Sequence, residues 1–176
     1  MVKFRDIPKY IGIQSSYSVD VDWNSLNSWL NRQLNSKLSK LDLNPDFQRG
    51  HVWSKEQQIK YVEYILKGGL SGKNLYFNHP GWMNNFKGHY VIIDGLQRLT
   101  AVTLFLKNEI TAFNNYFKDY EDRIPSHASF IINIYSLKSR CDVLRWYIEL
   151  NEGGVVHTDE ELQRVNELLK RELKDV

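Results

Sequence analysis

The chain has 176 residues, 42% hydrophobic and 25% charged, with a formal net charge of +2. That length buries a core in one domain spanning 1–176, and the near-neutral charge argues against attachment to nucleic acid by bulk electrostatics. No stretch approaches the ~18–20 apolar residues of a membrane span and the single cysteine, Cys141, forms no internal disulfide, so a soluble cytoplasmic protein without membrane contact is expected.

In chain order, Tyr17 to Val21 alternates polar and apolar residues as a short strand does. From Asp22 to Lys40, Trp23, Leu26, Trp29, Leu30, Leu34 and Leu38 recur at helical spacing. Leu41 to Leu43 reads as a brief extended segment entering a turn at Asn44-Pro45-Asp46. Ser54 and Gln57 have the spacing of a capping box; the helix behind it presents Ile59, Val62, Tyr64, Ile65 and Leu66 and stops at Gly68-Gly69. Asn74–Phe77 and Tyr90–Ile93 read as strands, and the continuous apolar run of Val91, Ile92 and Ile93 suits a strand covered on both faces.

A helix is expected from Leu96 to Asn108 and another from Phe113 to Asp122, broken by Pro125. Phe130–Ile134 returns as a strand, and 139–150 forms a helix ended by the glycines at 153 and 154. Thr158 and Glu161 form a second capping-box pattern, opening an amphipathic helix over 158–175 with Leu162, Val165, Leu169 and Leu173 on one face. Helices around a small set of short strands make the class α+β. The terminal helix is an expected docking face for a protein partner or a second copy.

The turn between the apolar strand and the helix at 96 carries the first chemical signal. A helix N-terminus leaves backbone N–H groups without intrahelical partners and carries partial positive charge. Gly95 allows close backbone approach, Arg98 adds a two-pronged donor suited to phosphate oxygens, and Gln97 supplies donor and acceptor together. This makes an anion cradle. Asp94 is open to several roles: an N-cap, a magnesium ligand, or an orienter of water. A second Gln-Arg pair, Gln48-Arg49, lies in a loop just ahead of the capped helix at 54. Its alternative role is structural, with Arg49 in a salt bridge and Phe47 and Trp53 packed beneath the loop.

Together, Pro45-x-Phe47-Gln48-Arg49-x-x-x-Trp53 and Asp94-Gly95-Leu96-Gln97-Arg98-Leu99-Thr100 resemble the DUF262 family. This is the N-terminal domain of GmrSD-type modification-dependent restriction enzymes, related to the ParB/sulfiredoxin superfamily. The family hallmark reads Asp-Gly-Gln-Gln-Arg-Leu-Thr, so Leu96 stands in the first Gln position and any ligand contact of that Gln is missing here. The stretch from Leu150 and Asn151 to Gly154 is similar to a later Asn-x-Gly element, and the resemblance covers a core of about 17–154. It implies a ParB/sulfiredoxin-like α+β fold with a nucleoside triphosphate site lined by both Gln-Arg motifs. In that site Arg49 and Arg98 would grip phosphates, and backbone N–H groups from Gly95 to Gln97 would complete the cradle. Gln48 and Gln97 would orient substrate or water, and Asp94 would hold magnesium or position the nucleophile. Asp94 and Gln97 are thus the candidate catalytic residues of a nucleoside triphosphatase in a restriction- or phage-defence-related process. Family members carry a separate nuclease region, often of His-Asn-His type; the chain ends at Val176 without one, and nuclease activity is not expected. The alternative is a catalytically inactive DNA-binding or protein-interaction module of the same fold, a reading that Leu96 favours and the low net charge disfavours where DNA is concerned.

The five histidines show no metal-ligand spacing, and His51 alone lies near the motifs. The run from Gly68 to Lys73 follows a helix rather than a strand and reads as a helix stop, not a phosphate loop. Cys141 is expected as a small buried hydrophobe, and sulfiredoxin's catalytic cysteine has no counterpart at Leu96 or Gln97. Phe77, Trp82, Phe86 and Tyr90 are expected to close the sheet edge and support the site from below, with base stacking as the alternative. Lys37, Lys40, Lys55, Lys60 and Lys67 are expected to be solvated.

Overall fold

The computed structural model describes residues 17–48, 50, 52–152 and 159–174. Five strands form one mixed sheet in the order β1-β5-β3-β4-β2. The strands are β1 (Tyr17–Asp22), β2 (Leu41–Asp42), β3 (Asn74–Asn78), β4 (Tyr90–Asp94) and β5 (Ser129–Tyr135); the helices are α1 (Trp23–Leu34), α2 (Lys55–Leu66), α3 (Leu96–Leu106), α4 (Arg140–Glu152) and α5 (Asp159–Glu172). β1 runs antiparallel to β5 and β3 antiparallel to β4, whereas β3–β5 and β2–β4 are parallel. The α+β class therefore holds.

The alternation along β4 explains its unbroken apolar sequence. Tyr90 and Ile92 enter a core that includes α1, α2 and α3, with Leu26, Trp29, Val62, Ile65, Leu99 and Val102 among its buried members. Val91 and Ile93 face a second core with Phe47, Leu144, Trp146, Tyr147 and Val165. Helices thus cover both faces of the sheet, and β4 has no polar face to present.

Two expected elements differ. The helix expected over 22–40 ends at Leu34, where the backbone and side-chain amides of Asn35 both donate to Asn31 O. Ser39 then bonds Ser36 Oγ through its backbone and Gly88 O through its hydroxyl, so short polar side chains offer the chain an alternative to helical bonds, and Leu38 is left exposed. The helix expected over 113–122 is reduced to one 3-10 turn at Phe117–Asp119. Phe113 and Asn114 adopt positive φ of 49° and 64°, which no right-handed helix accommodates. The capping box at Ser54 forms as expected: its hydroxyl accepts from Gln57 N, and Gln57 Oε1 accepts from Ser54 N at 2.8 Å. On α2 the buried face is Gln58, Val62 and Ile65, while Tyr64 is exposed and hydrogen-bonds Ser71. The capping-box residue expected at 158 and the glycines at 153 and 154 lie outside the described residues. No described helix is long and apolar enough to cross a membrane.

Candidate functional site

β4 and its parallel neighbour β2 end on the same side of the sheet, so the turn after β4 and the loop after β2 are brought together there. β3 runs the other way, so the glycine-containing loop that precedes it also arrives at this end. The sheet topology thus assembles three segments far apart in sequence.

Asp94 is the last residue of β4, and the N-cap of α3 is Gly95, with φ 102° and no side-chain cap. Asp94 therefore does not cap the helix. Its carboxylate accepts from Arg98 Nη2 at 2.5 Å, one helical turn on. The Arg98 side chain is 19% exposed and that of Asp94 42%, so the carboxylate faces solvent and the guanidinium lies behind it. The Arg98 stem runs 3.8 Å from where a side chain on Gly72 would begin, and Tyr61 donates its hydroxyl to Gly72 O at 2.8 Å. Burial pushes the Tyr61 phenol well above its ordinary range, against the opposing pull of the Arg98 charge. Trp53 packs on Tyr61 with ring centroids 5.5 Å apart.

Gly95 is required twice over. A Cβ there would lie inside contact distance of Leu75 Cδ2 and 3.3 Å from Arg98 Nη2, and the left-handed φ is unfavourable to any side chain. The first turn of α3 consequently starts from a backbone that no side chain shields at its cap, the condition for an anion to approach its N–H groups. Leu96 is half-buried and packs against the first core.

The two glutamines tie the segments together. Gln97 Oε1 accepts from Val52 N at 3.1 Å and Trp53 N at 3.2 Å, and its Nε2 donates to Gly50 O at 3.2 Å. Gln48 Nε2 donates to Ile93 O at 2.8 Å and to Ile92 O at 3.3 Å. Pairing of β3 with β4 slips at this level, between Tyr76 and Phe77. Consecutive carbonyls of a regular strand point to opposite edges, so an irregularity here suits a single amide nitrogen reaching both. β2 has already ended opposite Val91, and Gln48 supplies the donor that a longer β2 would have offered.

Asp94, Gly95, Gln97 and Arg98 thus share one wall with Gln48, joined to it through β4 and through Gly50, Val52 and Trp53. Arg49 and His51 lie outside the described residues. Sequence reasoning missed Tyr61 and Gly72, which back Arg98. It also missed Arg164, whose Nη2 donates to Gln48 O at 3.0 Å and Phe47 O at 3.3 Å from α5. Tyr61 had a usable signal in its helical spacing to Ile65; Arg164 had none, since it faces a loop more than a hundred residues away. The aromatic cluster corrects its expected position: Trp82, Phe86 and Tyr90 surround His79 at the opposite end of β4 from Asp94, with Trp82–Phe86 centroids at 5.5 Å and His79–Tyr90 at 5.2 Å. Cys141 is half-buried rather than enclosed.

As to magnesium, no group of three or more His, Cys, Asp and Glu side chains gathers among the described residues. Asp94 offers a single half-exposed carboxylate, which suits an ion held chiefly by phosphate oxygens and waters.

The model of the family described as GmrSD restriction endonuclease, N-terminal domain, matches residues 26–169. No curated protein and no solved structure gives a significant match. The matched span is most of the chain and includes both motifs, so the chain belongs to this family.

Proposed function

We propose that this member of the GmrSD restriction endonuclease N-terminal domain family binds a nucleoside triphosphate with magnesium at the Asp94–Arg98 turn, within a restriction- or phage-defence-related process. The observation that carries the reading is the Arg98 guanidinium held 2.5 Å from Asp94 beside a glycine-capped helix N-terminus. An arginine prepositioned in this way meets an arriving phosphate without first being ordered, and the anion's charge is matched by the helix end. Arg49, next to Gln48 in sequence, supplies the second cation. Phosphate arrival would draw Arg98 away from Asp94 and leave that carboxylate to share a magnesium ion with the phosphate oxygens. When bound, the magnesium would neutralise charge on those oxygens.

The glutamines take different parts in this reading. Both lone pairs of Gln97 Oε1 are engaged by loop amides, so its acceptor end positions the wall. Among the described residues its amide nitrogen donates only to Gly50 O, which leaves its second N–H for substrate or water. Gln48 anchors its own loop to β4. Hydrolysis needs little beyond placement and charge stabilisation, and Asp94, whose side chain is 42% exposed, would orient a water.

Calorimetry with a panel of nucleoside triphosphates, with and without magnesium, tests the reading. Binding by the wild type is expected, at least tenfold weaker in Arg98→Ala and less dependent on magnesium in Asp94→Asn. Absence of binding by the wild type, or unchanged binding in Arg98→Ala, overturns it. Phosphate release by the wild type and its loss in Asp94→Asn would extend the reading from binding to hydrolysis.

A further inference from the structure

The loop that carries the first motif is held from two sides. Towards the ligand wall, Gln48 reaches β4 and Gln97 reaches Gly50, Val52 and Trp53. Away from it, the same loop is tied to α4 and α5 by two arginines. Arg140, at the start of α4, forms a forked bond to Asp46, with Nη2 at 2.8 Å from Oδ1 and 2.6 Å from Oδ2, and its Nε donates to Glu172 near the end of α5 at 2.8 Å. The Asp46 carboxylate, followed by Glu172, holds this guanidinium more firmly charged than usual. Arg164, in the middle of α5, donates to the backbone carbonyls of Phe47 and Gln48. These carbonyls immediately precede Arg49.

The helix itself is lightly anchored. Val165 is its only side chain fully buried among those described; Leu162, Leu168 and Leu169 are half-buried, and Leu173 is exposed. Besides this apolar face, packed into the second core, the arginine ties join the helix to the motif loop; being solvent-exposed they add little each, which sets the docking rather than the folding of α5. Elements with few buried apolar contacts are the ones that open first. Phe47 completes the connection, being packed against Tyr147 of α4 with ring centroids 5.1 Å apart.

We propose that α5 is the regulatory output of the nucleotide site: Arg164 and the Asp46–Arg140–Glu172 bridge couple occupancy of the site to the docking of α5. The inference rests on the nucleotide reading above. A ligand that fixes Arg98 also steadies its neighbour Gln97, which holds Gly50, Val52 and Trp53 just beyond the carbonyls at 47 and 48, and so favours the docked helix. By reciprocity, a docked α5 raises nucleotide affinity by the factor through which nucleotide stabilises its docking. Arg164 is a positioning residue and touches no substrate.

The test is hydrogen exchange across 159–174 and calorimetry on the full chain, with a non-hydrolysable nucleoside triphosphate and magnesium, for the wild type, Arg164→Ala, Arg164→Lys and Asp46→Ala. In the wild type, nucleotide should slow exchange in α5 severalfold. Arg164→Ala should abolish that response and weaken binding about five- to tenfold, the lower part of the usual range of allosteric coupling. Arg164→Lys should recover part of both effects. Asp46→Ala, which alters no residue of α5, should reproduce the loss and so separates coupling from simple unfolding of the helix. If the wild type binds nucleotide but α5 exchange does not respond, or if Arg164→Ala and Asp46→Ala bind as the wild type does, the coupling is overturned and the nucleotide reading stands. If the wild type binds no nucleotide, the nucleotide reading falls and the coupling falls with it.

Discussion

Replacing Gly95 by alanine sets two costs against each other in one turn. The first is backbone strain: φ is 102°, and the left-handed region costs a side-chain-bearing residue roughly 1–2 kcal/mol. The second is steric. The new Cβ would press on Leu75 Cδ2, and Leu75 is wholly buried in the middle of the first core, so it has no solvent to turn towards. Overpacking of this kind costs about 1–3 kcal/mol, and the two together remove about 2–5 kcal/mol from a total stability that is typically ~5–15 kcal/mol. With a urea m-value of about 2 kcal/mol/M, the unfolding midpoint should fall by about 1–2.5 M without a change in m. Gly68→Ala is the internal control. Its φ is 94°, yet nothing lies within 4 Å of the position its Cβ would occupy, so it should show the strain alone, roughly 1–2 kcal/mol. Equal midpoint shifts in the two variants would refute the steric part of the reasoning, and a shift below ~0.5 M in Gly95→Ala would refute both parts.

Three further outcomes are expected. Gln97→Leu removes the bonds to Val52 N, Trp53 N and Gly50 O; it should cost about 1–3 kcal/mol and speed amide exchange at Val52 and Trp53, and unchanged exchange there would contradict the clamp. Ser54→Ala deletes the cap of α2 and should lower stability by about 1 kcal/mol in a denaturant titration, with Ser54→Thr close to wild type; a loss in the threonine variant as large as in the alanine variant would show that the cap is not the cause. His79 is 1% exposed, and its burial, with a smaller contribution from Lys138, lowers its pKa below the ordinary 6.5. The unfolded chain therefore takes up this proton at higher pH than the folded one, so the stability at stake is fully present above pH 6.5 and is lost as pH falls towards the depressed folded value. His79→Asn keeps an acceptor for Gly81 N, which His79 Nδ1 meets at 3.1 Å, and should flatten the decline in melting temperature between pH 7.5 and 5.5; an undiminished decline would assign it to other groups.

Local chemistry explains most of what was readable beforehand. Ser54 and Gln57 form their box because both partners lie within one turn, and Val91 to Ile93 announce a strand buried on both faces because no polar residue interrupts them. Where side chains three residues apart compete with the backbone, as Ser36 and Ser39 do after α1, apolar spacing overstates the helix. The segment after 113 failed for a different reason: Ala112 and Asn115 pair with each other in an isolated bridge, with Glu63 Oε1 accepting from Phe113 N, and the intervening backbone turns left-handed. That bond comes from α2, fifty positions earlier in the chain, and no window of local sequence contains it.

The motif pair shows the same division within the candidate site. Both Gln-Arg pairs are legible as signals, and the resemblance treats all four residues as lining a ligand. In the fold the amides of Gln48 and Gln97 reach backbone groups 44 to 47 positions away, and only the parallel pairing of β2 with β4 brings those groups within reach. A glutamine can serve a ligand or join two segments with the same atoms, so its identity alone does not reveal which. Arg98 is different, because its charge has to be matched, and Asp94 matches it. The departure at Leu96 also changes meaning. A glutamine at this half-buried position would bring a polar amide to a surface that packs on the first core, whereas leucine contributes apolar contact there. Leu96 therefore strengthens the seat of α3 while the groups proposed to meet a phosphate, the Gly95 backbone and Arg98, remain in place.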